Sequence, residues 1–227
     1  RDSHYRLEGP AVAQMQAAFM DNWMKATGAV LHGEEYFPDL PKIGDALAQV
    51  FKSSPGEGSE SVRLMYLLSI ASAQRSVRIA AAYFVPDDLS LATLVDASKR
   101  GVSIEVILPG KTTDTELTRK ASSSRWGKLL EAGIAIFEYQ PTMFHCKVMI
   151  VDDAWVSVGS TNFDSRSFRL NDEANLNIFD SAFALDQVRI FEDDKAHSTR
   201  VSLQDWINRP WTDKALEHAA GLLRSQL

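Results

Sequence analysis

The chain has little cysteine: Cys146 is the only one among 227 residues. That excludes an intramolecular disulfide and any metal centre built on a cysteine cluster. It also lacks a basic balance, with 24 Lys and Arg against 30 Asp and Glu, a formal net charge of −6. A general nucleic-acid binder carries an excess of positive charge to neutralise phosphates, so the balance speaks against that class. A local basic pocket for one phosphate remains compatible with it. Long apolar runs are missing too. Stretches such as Ile79 to Val85 fall far short of the roughly 20 residues a membrane-spanning helix needs. No signal peptide is read, and no Asp or His cluster has metal-ligand spacing, so neither a metal nor a cofactor is called for. What is present is ordinary for a globular protein: 45% apolar and 24% charged residues. The length suits one large domain, or one domain with an appendage.

Along the chain, His4 to Glu8 alternates polar and apolar residues, as in a short strand. Gly9-Pro10 then opens a helix, with proline at the position where its missing N–H costs nothing, and Gly28 stops it. Residues 29–60 show little periodicity and read as a connector, with SSPGEGSES at 53–61 as its clearest loop. From Ser61 the pattern becomes alternating α/β. Val62 to Ala73 is helical, and Val77 to Val85 is a strand buried on both faces. Pro86-Asp87-Asp88 caps a helix through Lys99. Val102 to Leu108 is a second strand. Lys111, Thr113 and Asp114 follow it in what reads as a solvated loop. Leu117 to Ala132 reads as one helix, and Ile134 to Tyr139 as a third strand. Ser181 to Lys195, Leu203 to Asn208 and Asp213 to Leu227 read as the closing helices.

The chemistry is concentrated between Phe144 and Glu173. His145 and Lys147 are two apart in an apolar, β-branched run, a spacing that points both side chains to one face of a strand. Asp152 and Asp153 open a turn. Trp155 to Val158 returns as a second strand and ends at Gly159-Ser160-Thr161-Asn162, where donors and a bare Cα suit an anion. Glu173 precedes another strand. Together these types fit phosphodiester cleavage. That reaction needs a nucleophile, an acid for the leaving oxygen, and positive charge or donors on the non-bridging oxygens. His145 can supply either of the first two, and Lys147 brings the cation. Ser160 and Asn162 can donate to the phosphate, Asn171 can line the same pocket, and Glu173 can hold the second ring nitrogen of His145. Asp152 either fixes the turn or touches substrate. Cys146 points away from the His145 face, as a small core residue would. Arg166 and Arg169 serve equally well as surface charges or as aids to an anionic substrate.

His-x-Lys, four residues, Asp, six residues, Gly-Ser, then Asn two positions after the serine, resembles the HKD motif of the phospholipase D superfamily. GSTNFDSRSFRLNDEANL, AAYFVPD, RGVSIEVILPG and the opening RDSHYRLEGPAV are similar to its cardiolipin synthase branch. The resemblance implies a phospholipase D-like α/β sandwich, a mixed sheet flanked by helices. It implies residues 1–28 as a remnant of a preceding N-terminal half, 29–60 as connector and 61–227 as a catalytic domain with one motif. The implied catalytic residues are His145, Lys147, Asp152 and Glu173, with Ser160, Asn162 and Asn171 on the phosphate.

Family members form a phosphohistidine and use two copies of the motif, and none of His4, His32, His197 or His218 has a lysine two residues later. The implied partners are therefore an anionic phospholipid, a missing N-terminal half or a second copy of this chain, and a membrane surface for the full-length protein, with a bacterial inner membrane as its expected location. The start at Arg1 fits a piece of a longer polypeptide. The implied activity is phosphatidyl transfer between two phosphatidylglycerol molecules. Hydrolysis by a phospholipase D or nuclease of the superfamily, and a non-catalytic lipid- or partner-binding half, are the alternatives.

Overall fold

The structure is a computed structural model, and it describes residues 1–55, 60–113 and 115–222. Asp114, the middle of the 53–61 loop and the end of the closing helix expected to reach Leu227 lie outside the described residues.

One eight-stranded mixed sheet organises these residues. Its strands are β1 (Leu47–Ser53), β2 (Ser76–Ala81), β3 (Ser103–Pro109), β4 (Ala135–Tyr139), β5 (Lys147–Val151), β6 (Trp155–Gly159), β7 (Glu173–Phe179) and β8 (Ser198–Arg200). They lie in the order β1-β7-β6-β5-β2-β3-β4-β8. β2, β3 and β4 run parallel, joined by helical crossovers, and the remaining pairs are antiparallel. The helices are α1 (Ala11–Thr27), α2 (Ser61–Ser72), α3 (Asp88–Lys99), α4 (Glu116–Ser123), α5 (Trp126–Glu131), α6 (Ser165–Arg169), α7 (Ser181–Ala196), α8 (Leu203–Asn208) and α9 (Trp211–Leu222).

Helices cover both faces, which is why β2, β3 and β5 read as near-continuous apolar runs. On one face Val62, Tyr66, Leu94, Trp126 and Phe168 pack on Ile79, Val106 and Met149. On the other, α7 sets Ala184 and Phe191 against Cys146, Val148, Ile150 and Val158. The alternation along β5 thus sends Cys146 into one core and Met149 into the other. Asp87 caps α3 by accepting the Ser90 N–H at 2.7 Å, and Gly28 takes a left-handed φ of 72° to end α1.

Four elements differ from the sequence reading. The connector contains β1, which pairs along its whole length with β7, from Leu47↔Phe179 to Ser53↔Glu173. As an edge strand it alternates exposed and half-buried residues, a weak signal within LAQVFKS. The single helix expected from Leu117 to Ala132 is two, α4 and α5, broken around Ser124 and Arg125. The short strand β8 on the edge of β4 and the one-turn α6 went unread. Residues 4–8 are extended but pair with no strand. Their alternation is real, because Tyr5 and Leu7 pack on the α7-side core while intervening residues face out.

Candidate active site

The site is built where β5 begins and β6 ends, against the start of β7. Val148 pairs with Val158, and Gly159 pairs with Asn175. This register brings the His-x-Lys segment, the glycine-serine turn and Glu173 to one end of the sheet from sequence positions up to 28 residues apart. The far end of the β5–β6 hairpin is closed by Asp152 and Asp153, both with left-handed φ, 54° and 55°. Short polar side chains tolerate that region better than most.

Lys147 and His145 meet directly. Lys147 Nζ lies 3.1 Å from His145 Nε2 and 3.0 Å from the His145 carbonyl oxygen. The other ring nitrogen, Nδ1, lies 3.2 Å from Asp2 Oδ2. Lys147 Nζ also lies 3.3 Å from Nδ1, so the ammonium faces both ring nitrogens, and the Asp2 carboxylate, which can only accept, is the partner a protonated Nδ1 would donate to. The His145 side chain is 42% exposed and that of Asp2 64%. Burial of Asp2 opposes its ionisation, but hydrogen bonds from the Ser3 N–H and His145, with the nearby cations, hold its carboxyl below the usual range. Lys147 and Gly159 line one cavity of about 350 Å³, together with Asp2, His4 and Met15.

The turn after β6 depends on a close approach. A Cβ on Gly159 would collide with the Ala174 carbonyl and with Asn175, whose Cα would sit 2.7 Å away. Ser160 donates to Glu173 Oε2, and its own Oγ accepts the Ala174 N–H at 3.1 Å. Asn171 Nδ2 donates to Glu173 Oε1 at 3.1 Å. Asn162 Oδ1 accepts the Tyr83 N–H at 3.3 Å, which turns its amide N–H₂ into the group able to donate elsewhere. Below the turn lies a polar anchor. Fully buried Asn175 accepts the Thr161 N–H at 3.3 Å and donates to Tyr66 Oη at 2.7 Å and Ser157 Oγ at 2.9 Å. Burial raises the Tyr66 hydroxyl to about 12, and its ring stacks on Phe163 at 5.6 Å.

A model of the family described as cardiolipin synthase, PLD-like domain, matches residues 66–195. The chain belongs to this family. Among its relatives, cardiolipin synthase 1 of Bacillus anthracis is 33% identical over 225 residues, covering 96% of this chain and 44% of the relative. A probable cardiolipin synthase of Bacillus subtilis is 37% identical over 228 residues, covering 100% and 45%. The chain therefore spans less than half the length of these relatives. Two solved structures share the fold. The phospholipase D family member Nuc of Salmonella typhimurium aligns with a TM-score of 0.60 at 24% identity, over 70% of this chain and 99% of that one. Phosphatidylserine synthase of Haemophilus influenzae aligns with a TM-score of 0.64 at 17% identity, over 83% and 49%. The expected phospholipase D-like architecture is the one observed.

Within this cardiolipin synthase-family domain the predicted site residues separate into three groups. His145 and Lys147 are in contact. Ser160, Asn171 and Glu173 form a hydrogen-bonded set, with Asn162 on the same turn. Asp152 stands apart, at the opposite end of β5. Its carboxylate accepts the backbone N–H groups of Gln74, Arg75 and Ser76 at 2.9, 2.7 and 2.9 Å, so it fixes the hairpin to the start of β2. Burial opposes its charge, but these three bonds outweigh burial and lower its pKa. The carboxylate on the His145 ring is Asp2 rather than Glu173, which is engaged by Ser160 and Asn171. Arg169 pairs with Glu60 at 2.7 Å on the surface.

Sequence reading missed Asp2, Asn175, Tyr66 and Asp164. Asp164, buried beside Glu173, caps α6 by accepting the Ser167 N–H at 2.7 Å. Its Asp-Ser-x-Ser spacing was a readable cap signal. Asp2 and Tyr66 lie too far away in sequence to give one.

Proposed function

We propose that the full-length protein transfers a phosphatidyl group between two phosphatidylglycerol molecules. The observation that carries this reading is the Lys147–His145 contact at 3.1 Å beside a cavity, in a chain of the cardiolipin synthase family. In this reading His145 donates from Nδ1 to Asp2 and attacks phosphorus with the electron pair of Nε2. The phosphorus–oxygen bond to the departing glycerol breaks, and that oxygen takes a proton from a second acid. In the family's two-motif pattern this acid is a second motif histidine, contributed by a missing N-terminal half or by a second copy of this chain. The hydroxyl of a second phosphatidylglycerol then gives its proton to that same group, now a base, displaces His145 and completes cardiolipin. Lys147 and the Asn162 amide offset charge on the non-bridging oxygens, the groups on which phosphoryl transfer depends most, while Ser160, whose hydroxyl proton goes to Glu173, holds the turn in place.

Hydrolysis is the second reading, favoured by the 42% exposure of His145, which leaves the ring open to water. Both readings use a phosphohistidine and an anionic phospholipid, and both place the full-length protein at a membrane surface. Among the described residues no helix is long and apolar enough to cross a membrane. Incubating the full-length protein with phosphatidylglycerol vesicles tests the choice. Transfer gives cardiolipin and glycerol in equal amounts, and hydrolysis gives phosphatidic acid. His145→Ala lowers either product by about 10³-fold or more. Unchanged turnover in that variant would leave only a binding role.

A further inference from the structure

The cavity under Lys147 does not end at the site. It shares Tyr5, Leu7, Val158 and Leu176 with a second cavity of about 640 Å³ that runs between residues 5–14, residues 42–48 and the sheet. Beyond the shared residues this second space is walled by Ile178 and Phe183. Of the charges in its lining, Arg6 pairs with Glu8 and Lys42 with Asp45 at 3.3 Å, and Asp180 accepts the Phe183 N–H at 2.7 Å as the cap of α7. Its size lies within the range of preformed small-molecule sites. The two spaces adjoin along these shared residues, with Lys147 and Asp2 at the site end and the apolar side chains Leu7, Val158, Leu176, Ile178 and Phe183 along the inner wall. That sequence of environments matches an amphiphile with an anionic head and a hydrocarbon tail.

The geometry points to this cavity as the seat of one acyl chain of the phospholipid whose phosphate reaches His145 and Lys147. The inference rests on the phosphatidyl-transfer reading for the head group, and it adds where the tail goes. The protein then grips its substrate at both ends. Acyl length, rather than head-group chemistry alone, sets affinity. The walls come from β1, β7 and the opening segment, not from the motif, so the acyl preference is carried by residues that take no part in the chemistry.

Calorimetric titration of residues 1–227 tests this with two probes. Glycerophosphoglycerol carries the head-group phosphodiester and no tail. A series of lysophosphatidylglycerols of increasing acyl length, each below its micelle concentration, adds the tail one methylene at a time. Affinity should rise by about fourfold per methylene and then level off when the cavity is full. Ala48→Phe, on β1 opposite Ile178, fills the cavity. It should flatten the rise by at least tenfold at the longest tail while leaving glycerophosphoglycerol affinity unchanged. Ile178→Ala enlarges the cavity and should move the plateau to longer tails. Affinity that does not depend on acyl length would overturn the inference, and so would a rise that neither variant alters. Should Ala48→Phe fail to fold, an unmoved plateau in Ile178→Ala is enough to overturn it. Failure of the head-group reading looks different: wild type then ignores glycerophosphoglycerol and Lys147→Ala changes nothing, while the acyl series still decides whether the cavity takes a tail.

Discussion

The side chain of Asn175 accepts the amide proton of Thr161 at 3.3 Å, so a fully buried residue of β7 holds the turn that presents Ser160 and Asn162. Its N–H₂ ties the same turn to Tyr66 on α2. Asn175→Ala would leave the Thr161 amide without its partner and take one partner each from Tyr66 and Ser157. The expected cost is about 3 kcal/mol of stability, with a fall in kcat that exceeds any change in KM. Urea unfolding and steady-state kinetics on the same preparation check both parts. A variant that unfolds earlier but keeps kcat would show that the turn is held without Asn175.

Gly159 gives a second test of the same turn. Any side chain there meets the Ala174 carbonyl, a backbone atom that cannot step aside. Gly159→Ala is expected to separate β6 from β7 at this point and to abolish turnover, whereas Gly133→Ala, which has open space around it but a φ of +84°, should cost some stability through backbone strain and leave the turnover of the folded protein intact. Equal activity in the two variants would contradict the close approach.

The two carboxylates of the site, Asp2 and Glu173, should not be equivalent. Asp2 is exposed, and exposed ion pairs contribute about 0–1 kcal/mol, so Asp2→Asn should lower kcat by no more than about fivefold. Glu173 is buried and receives Ser160 and Asn171. Glu173→Gln replaces one acceptor oxygen by a donor and should cost about 10²-fold or more in kcat. Comparable losses in the two variants would show that Asp2 carries more than ring orientation.

Asp152 separates folding from chemistry. Asp152→Ala removes three backbone N–H acceptors at the far end of β5 and should lower stability by about 2–3 kcal/mol. Residual folded enzyme should keep its kcat. Thermal melts with activity normalised to folded fraction make the measurement.

Asp164 gives a pH test. Burial, with Glu173 nearby, raises its carboxyl to about 6, above the ordinary 3.8. The folded state therefore binds a proton that the unfolded state has released between about pH 4 and 6. Its linkage contribution is fully present below pH 4 and is lost as pH rises through 6, by about 3 kcal/mol. Asp164→Asn keeps an acceptor for Ser167 and removes the charge. Its Tm relative to wild type should climb between pH 4 and pH 6 and level off above. A difference that stays flat with pH would place the proton elsewhere.

The motif was legible because its residues lie within one hairpin and its neighbours, where a period of two and a turn fix who faces whom. The buried strands β2, β3 and β5 were legible for the same local reason. What escaped was long-range. Asp2 reaches His145 across 143 residues and Tyr66 reaches Asn175 across 109, and no spacing rule covers such contacts. β1 escaped because an edge strand that buries only part of one face needs no strong pattern. Asp152 could be placed on the turn, but only the amides of Gln74, Arg75 and Ser76, at and just before the start of β2, reveal it as an anchor.

The β1–β7 pairing also bears on how the protein can be cut. A shortened version starting at Ser61 would look reasonable from the α/β pattern alone, yet it would strip the cover from the whole length of β7. The uncovered amides and carbonyls would then recruit a neighbouring molecule edge to edge, and the preparation would self-associate through the very strand that carries Glu173 and Asn175.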